Sequence, residues 1–274
     1  MLSDTHCHLN FNTFHEDRDE VIARALQSGI RQILNPGVDL TSSRAAVKLA
    51  DTYPLVFASV GVHPNEALSW NEHTLDELRI LSMHPKVVAI GEIGLDYYRN
   101  RSPHDLQQHV FRQQLTLAEQ VGLPVVIHTR DASASDRQAM HDVLDILESW
   151  WLALQTSGSN LAQRPGVLHS FSGDGRAAQQ AIQNGFYIGI TGPVTFRNAP
   201  GLQQLVATLP VERLLIETDA PFLAPHPHRG QRNEPAYVRL VAEKIAEIHH
   251  LPFNRIAEVT SYNAERLFHW LVPD

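Results

Sequence analysis

The chain opens with Leu2-Ser3-Asp4-Thr5-His6-Cys7-His8. Side chains of an extended strand alternate faces, so His6 and His8 point one way and Cys7 the other. Two imidazoles about 7 Å apart at the carboxyl end of a strand can close on one metal ion, because a neutral ring nitrogen is the commonest protein ligand of such ions. A single His-x-His pair is weak evidence in a chain with 16 histidines. Seven more short apolar runs follow: Gln32–Asn35, Val56–Val62, Val87–Ile93, Val125–His128, Val167–His169, Tyr187–Ile190 and Leu214–Glu217. They alternate with amphipathic stretches, the pattern of a parallel sheet built from βα units, and eight is the number that closes a (β/α)8 TIM barrel. The 274 residues suit one such domain spanning 1–274, since a barrel takes about 250.

Punctuation between the runs agrees. Asp17 to Gln27 places Val21, Ile22, Ala25 and Leu26 on one helical face and stops at Gly29. Thr41 reads as the N-cap of a helix ending before Pro54, and Pro103 to Val121 as a helix followed by Gly122. The segment Ala132 to Arg164 is long for one unit; a helix is expected through Val143–Leu154, with Trp150-Trp151 as packing, and then a loop over Thr156–Asn160. Tyr237–His249 and Asn254–Trp270 read as closing helices, and no linker, repeat or low-complexity run marks a second domain.

With 43% hydrophobic and 19% charged residues, the composition is that of a soluble globular protein with a sizeable core. No apolar run approaches the roughly 20 residues that span a bilayer. The amino terminus has no basic or apolar leader region, and Cys7 is the single cysteine, so a cytoplasmic protein without membrane or obligate protein partner is expected. A net charge of −8 argues against a broad basic surface for duplex nucleic acid, so any phosphate must be held locally by cations and a few arginines.

In a parallel barrel all strands point the same way, and residues at their carboxyl ends meet at one mouth. His6 and His8 follow the first strand, Glu92 lies on the fourth, His128 ends the fifth, His169 ends the sixth, and Asp219 follows the eighth. A carboxylate within the apolar run Val87–Ile93 needs compensation for its charge, and a metal ion supplies it. Glu217 is read as lying outside the ligand set. His63 ends the third strand, where it can donate to a phosphate oxygen or orient a ligand. Arg130, together with Arg229 and Arg232 on the Pro-rich Ala220–Pro235 loop, offers guanidinium forks for phosphate, and Tyr97 or Tyr98 offers a ring for an unpaired base.

Seven segments carry a resemblance: Asp4-Thr5-His6-Cys7-His8, Gly61-Val62-His63-Pro64, Gly91 through Tyr97, Ile127 through Ala132, His169 through Gly173, Glu217 through Pro221, and Arg229 through Pro235. In order and over nearly the whole chain, this series resembles the TatD-type metal-dependent deoxyribonucleases of the amidohydrolase superfamily. The resemblance implies a divalent-metal phosphodiesterase, a 3′ to 5′ exonuclease on single-stranded DNA and possibly RNA, working with Mg²⁺ or Mn²⁺. It implies two ions, one held by His6, His8, Glu92 and Asp219, the other by Glu92, His128 and His169, with Glu92 bridging where many superfamily members use a carbamylated lysine. The chain departs from the pattern in its long 132–164 connection and in Ser170, where many relatives carry cysteine.

With two cations at the mouth, a water deprotonated near neutral pH attacks phosphorus in line, and Asp219 is the candidate to accept its proton. Imidazole-rich ligation favours zinc or manganese over magnesium, so Zn²⁺ is also expected as a bound ion. Two other readings stay open: a binuclear hydrolase of an ester, amide or small phosphate compound, including aminoacyl-RNA deacylation, and a metal-stabilised scaffold without catalysis.

Overall fold

Each of the eight apolar runs becomes a strand: β1 Leu2–Asp4, β2 Ile30–Pro36, β3 Val56–Val60, β4 Val87–Asp96, β5 Val125–Arg130, β6 Gly166–Leu168, β7 Tyr187–Ile190 and β8 Leu214–Ile216. The computed structural model describes residues 1–133 and 135–270. The strands form one parallel sheet in the order β1 to β8. Thr5 N–H donates to the Ile216 carbonyl over 3.1 Å, and Cys7 pairs in parallel with Ala220, so the last strand meets the first and the sheet closes into a (β/α)8 barrel.

Nine α-helices accompany the strands among the described residues: α1 Arg18–Gln27, α2 Leu40–Thr52, α3 Thr74–Ser82, α4 His104–Val121, α5 Gln138–Thr156, α6 Gly175–Gln183, α7 Pro200–Thr208, α8 Val238–His249 and α9 Phe253–Phe268. Asp39, not Thr41, caps α2: its carboxylate accepts from Ser42 N–H while Ser42 bonds back, so the capping box sits two residues earlier than composition suggested. Helix α5 starts five residues before the expected Val143, and the chain then makes a short 3₁₀ turn over Asn160–Gln163. Trp151 donates to the Ala162 carbonyl over 3.1 Å and Trp150 is buried, both as packing. None of the described helices is long and apolar enough to cross a membrane.

Two apolar layers result. The larger lies between sheet and helices and includes Ile33, Ile90, Val110, Leu147 and Ile245. The smaller contains Leu34, Phe57, Val88, Val126, Val167, Tyr187 and Leu215 with Leu267, Phe268 and Trp270. Val126, Val167 and Leu215 stand two residues before His128, His169 and Glu217, so strand alternation puts them on the same inward face. The barrel interior is therefore filled with side chains, Trp270 and the end of α9 join that filling, with Gln32 bonded to the Trp270 carbonyl there, and the opposite mouth carries the histidines and carboxylates. At that mouth β4 and β5 approach so closely that a Cβ on Gly94 would overlap the His128 carbonyl oxygen; Gly94, at φ +139, is what permits it.

Candidate metal centre

Closure of the barrel sets half of the site. His8 N–H donates to the Ala220 carbonyl and Asp219 N–H to the His6 carbonyl, each over 2.8 Å, so His6, His8 and Asp219 leave the seam side by side. Asp219 sits at φ +56, a left-handed conformation that costs a residue with a Cβ about 1–2 kcal/mol. Asp4 secures this turn from below. Its buried carboxyl accepts from Thr218 N–H at 2.9 Å, Thr218 Oγ1 at 2.6 Å and His6 N–H at 3.3 Å.

The side chains then converge. His6 Nε2 and His8 Nε2 are 3.2 Å apart. Glu92 Oε2 is 3.5 and 3.7 Å from them, and Asp219 Oδ1 3.8 and 3.5 Å. Around an ion with bonds of 2.0–2.2 Å, a tetrahedron has edges of about 3.3–3.6 Å, and the five separations cluster on that value. Two ring nitrogens face each other with two carboxylates opposite, and the rings' remaining Nδ1 atoms are buried without a hydrogen-bond partner among the described residues. Such a donor set fits a divalent cation.

The other oxygen of Glu92 faces the opposite way. Oε1 is 2.9 Å from His128 Nδ1 and 3.8 Å from His63 Nε2, while His128 Nε2 is 3.3 Å from Asp96 Oδ2. Glu92 thus addresses two groups of histidines with one oxygen each. His63 Nδ1 accepts from Asn65 N–H at 3.1 Å, which leaves the proton on Nε2 and makes His63 a donor toward the centre. His169 lies on the first side of the cluster: its ring stacks on His6 with centroids 3.4 Å apart, and its Nε2 is 3.8 Å from Asp219 Oδ1. The atoms grouped within 4.8 Å around His128 and Glu92 include His63, whereas His169 groups with His6 and Glu217. Glu217 Oε1 stands 2.9 Å from His169 Nδ1, without hydrogen-bond alignment, and accepts from Ser170 N–H at 2.5 Å. Its neighbour is thus a histidine at the mouth.

Proton affinities divide across that line, one lowered and one raised imidazole on each side. Burial lowers His6, with His169 beside it adding to the effect, and burial drives His63 down to about 3, helped by His128. Burial also works against charge on His128 and His169, yet there the carboxylates win: Asp96 and Glu92 hold His128 up at about 9, and Glu217 holds His169 up at about 10. Burial opposes ionisation of Glu92 and Asp219 too, but is outweighed by His6 and His63 around Glu92 and by His8 and His169 around Asp219, so both carboxyls lie below their ordinary range. Burial raises Asp4 to about 8.

Above these groups opens a cavity of about 610 Å³, which His63 and Arg130 both line. Three other expected substrate contacts are elsewhere. Arg229 lies over the Phe196 ring at 4.5 Å, and Arg232 pairs with Asp17 at 2.5 Å and covers Phe14 at 4.9 Å, so the later part of the loop turns these two side chains to neighbours outside the cavity lining. Tyr97 is buried, its hydroxyl donating to Asp142 over 2.6 Å and its ring stacked on His104, because it turns toward the helices. In their place the cavity exposes Arg99, Arg101, Phe11 and Phe222, and Asp96 at its floor. Asp96 was legible, four residues beyond Glu92 and so on its face of the strand. Nothing in the sequence marks Phe11 or Phe222.

The family described as TatD related DNase matches residues 3–269. Over 268 residues the chain is 43% identical to the uncharacterized metal-dependent hydrolase YabD of Bacillus subtilis (strain 168), covering 98% of this chain and 99% of that protein. It is 38% identical over 273 residues to the 3′-5′ ssDNA/RNA exonuclease TatD of Citrobacter rodentium (strain ICC168), covering 97% of each. The crystal structure of YjjV, a TatD homolog from Escherichia coli K12, superposes with a TM-score of 0.88 at 30% identity over 98% of both chains.

Proposed function

The chain belongs to the TatD related DNase family, and from that premise we propose that it is a divalent-metal-dependent hydrolase, one domain over residues 1–274, removing nucleotides from the 3′ end of single-stranded DNA and of RNA. The observation that carries this reading is the stance of Glu92, one oxygen 3.5 and 3.7 Å from His6 and His8 and the other 2.9 Å from His128. His6, His8, Glu92 and Asp219 would hold one ion; Glu92 and His128 would begin the site of a second, with His169 as the further ligand the resemblance implies. Bound there, two divalent ions, Mg²⁺ or Mn²⁺ in turnover and Zn²⁺ by donor preference, would supply Lewis-acid stabilisation of the phosphoryl oxygens and an acidified water.

The chain's own groups do the remainder. Asp219 is ionised and its backbone pinned, so its carboxylate is placed to take a proton from the attacking water and return it to the leaving oxygen. His63, neutral and carrying its proton on Nε2, donates to a phosphate oxygen. Arg130 binds a neighbouring phosphate. A hydrolase of another ester, amide or small phosphate compound is the second reading, and the net charge of −8 favours it.

Metal-analysed protein incubated with end-labelled single-stranded DNA, duplex DNA, RNA, a generic phosphodiester and a carboxyl ester, with and without chelator, separates the two. Metal-dependent loss of label from the 3′ end of single strands is the expected result. Chelator-sensitive ester cleavage with intact nucleic acid would replace the nuclease reading by the second.

A further inference from the structure

The cavity has two chemically different walls. Beside His63 and His128 stand Arg99, Arg101 and Arg130, and among the described residues none of the three has a carboxylate within 4.0 Å, in contrast to Arg24, Arg44 and Arg232. Beside His8 stand Phe11, its ring stacked on that histidine with centroids 4.5 Å apart, and Phe222, 6.4 Å from His8 and 6.2 Å from Phe11. Phe222 is 52% exposed and the adjoining Leu223 38%.

That exposure is built in. Leu223 sits at φ +53, a left-handed conformation that a branched side chain rarely adopts, and Asp219 in the same loop is left-handed as well. The loop is held there from two sides. The buried Asn233 amide donates to the Thr218 carbonyl at 2.8 Å and to that of Phe222 at 2.6 Å. Opposite, a Cβ on Gly192 would overlap the Leu223 carbonyl oxygen, so only glycine admits the approach. A loop strained and pinned to hold an aromatic ring in water at the lip of a cavity is arranged to receive an apolar face.

We propose that Phe222, backed by Phe11, is the stacking surface for the 3′-terminal base, while Arg99, Arg101 and Arg130 take phosphates of the same strand; the proposal rests on the nuclease reading and specifies how that site recognises its substrate. A π-face meets any base, so the wall selects against paired ends, whose bases are already stacked, and not for sequence. The guanidinium groups supply the local anion binding that an acidic protein otherwise lacks.

The test is a cycle between protein and substrate. With Mn²⁺ present, KM and kcat are measured for an oligonucleotide whose 3′-terminal nucleotide is normal or abasic, on the wild type, Phe222→Ala and Phe222→Tyr. The wild type should lose about 10-fold in KM on the abasic strand. Phe222→Ala should lose a similar factor on the normal strand and nothing more on the abasic one, and Phe222→Tyr should restore the wild-type pattern. An abasic penalty undiminished in Phe222→Ala, or absent from the wild type, overturns the proposal. In parallel, a strand with 2-aminopurine at its 3′ end is bound in chelator, where stacking quenches its fluorescence. Quenching in the wild type that Phe222→Ala abolishes, without turnover under Mn²⁺, supports the stacking surface and overturns the nuclease reading; turnover with an unquenched probe does the reverse, and neither signal overturns both.

Discussion

Glu92 stands between imidazoles of opposite tendency, His6 with His8 at one oxygen and His128 at the other. On one side, His6 and His8 are buried at the barrel seam with their Nε2 atoms 3.2 Å apart, no partners on Nδ1 among the described residues, and His6 held neutral by burial. On the other, His128 lies between Glu92 and Asp96 and is held protonated to about 9. The His6–His8 pair is already shaped as a ligand set, whereas His128, like His169 stacked on His6, must give up a proton before its imidazole can serve. What an imidazole does here depends on how closely a carboxylate approaches it, 2.9 Å at His128 and His169 against 3.5 Å or more at His6 and His8, not on its place at a strand end, which all four share.

The comparison breaks most easily at the seam. His8→Ala should cost on the order of 10³ in kcat/KM and lower the bound metal, against roughly 10–100-fold for His128→Ala, as read by steady-state kinetics with metal analysis. Equal losses would mean that the two sides are not distinct. Asp219→Asn keeps a ligating oxygen but removes the proton acceptor; kcat should fall about 10²-fold or more with metal content nearly retained, and full turnover would take Asp219 out of the role.

Proton competition sharpens the contrast. His128 and His169 keep protons to about 9 and about 10, so metal binding should release protons and the apparent affinity should rise with pH, about tenfold per unit for each proton displaced, levelling off above about 10. Calorimetry in buffers of different ionisation heat counts those protons; affinity independent of pH would contradict the division. Asp4, beneath the seam, has a folded-state value raised from 3.8 to about 8. Its contribution to stability is complete below about 4 and is lost as pH rises through 8, so in chelator the unfolding midpoint of the wild type should fall over that window while Asp4→Asn shows a flatter profile, a difference on the order of a few kcal/mol. The smallest effect belongs to a residue outside both sides: Tyr97→Phe loses the bond to Asp142, destabilises by about 1 kcal/mol and leaves kcat and KM unchanged.

Much of this was legible along the chain because strand rules are local. Alternation placed His6 with His8 and Val126 with His128, and the common direction of parallel strands brought Glu92 and Asp219 to the mouth that carries them. Residues on loops escaped the same reasoning. Arg229 and Arg232 stood on the right loop, but its later part gave Arg232 to Asp17 and Arg229 to Phe196; Tyr97 stood one residue past the face that would have exposed it. Asn65, whose backbone N–H decides which nitrogen of His63 carries the proton, has no signature at all in the sequence.

Sequence by itself determined the eightfold βα alternation, the end of the barrel at which chemistry is gathered, and the identity of the groups that meet there, since period, strand direction and residue type need no long-range information. Only the tertiary structure decided which imidazole neighbours which carboxylate: His169 against His6 and Glu217, His63 against Glu92 and His128, Phe222 at the lip. Those pairings depend on the stagger of strands around a closed ring and on loops pinned by distant partners such as Asn233, and separations of a few ångströms across a ring follow from how the whole closes, not from any stretch of it.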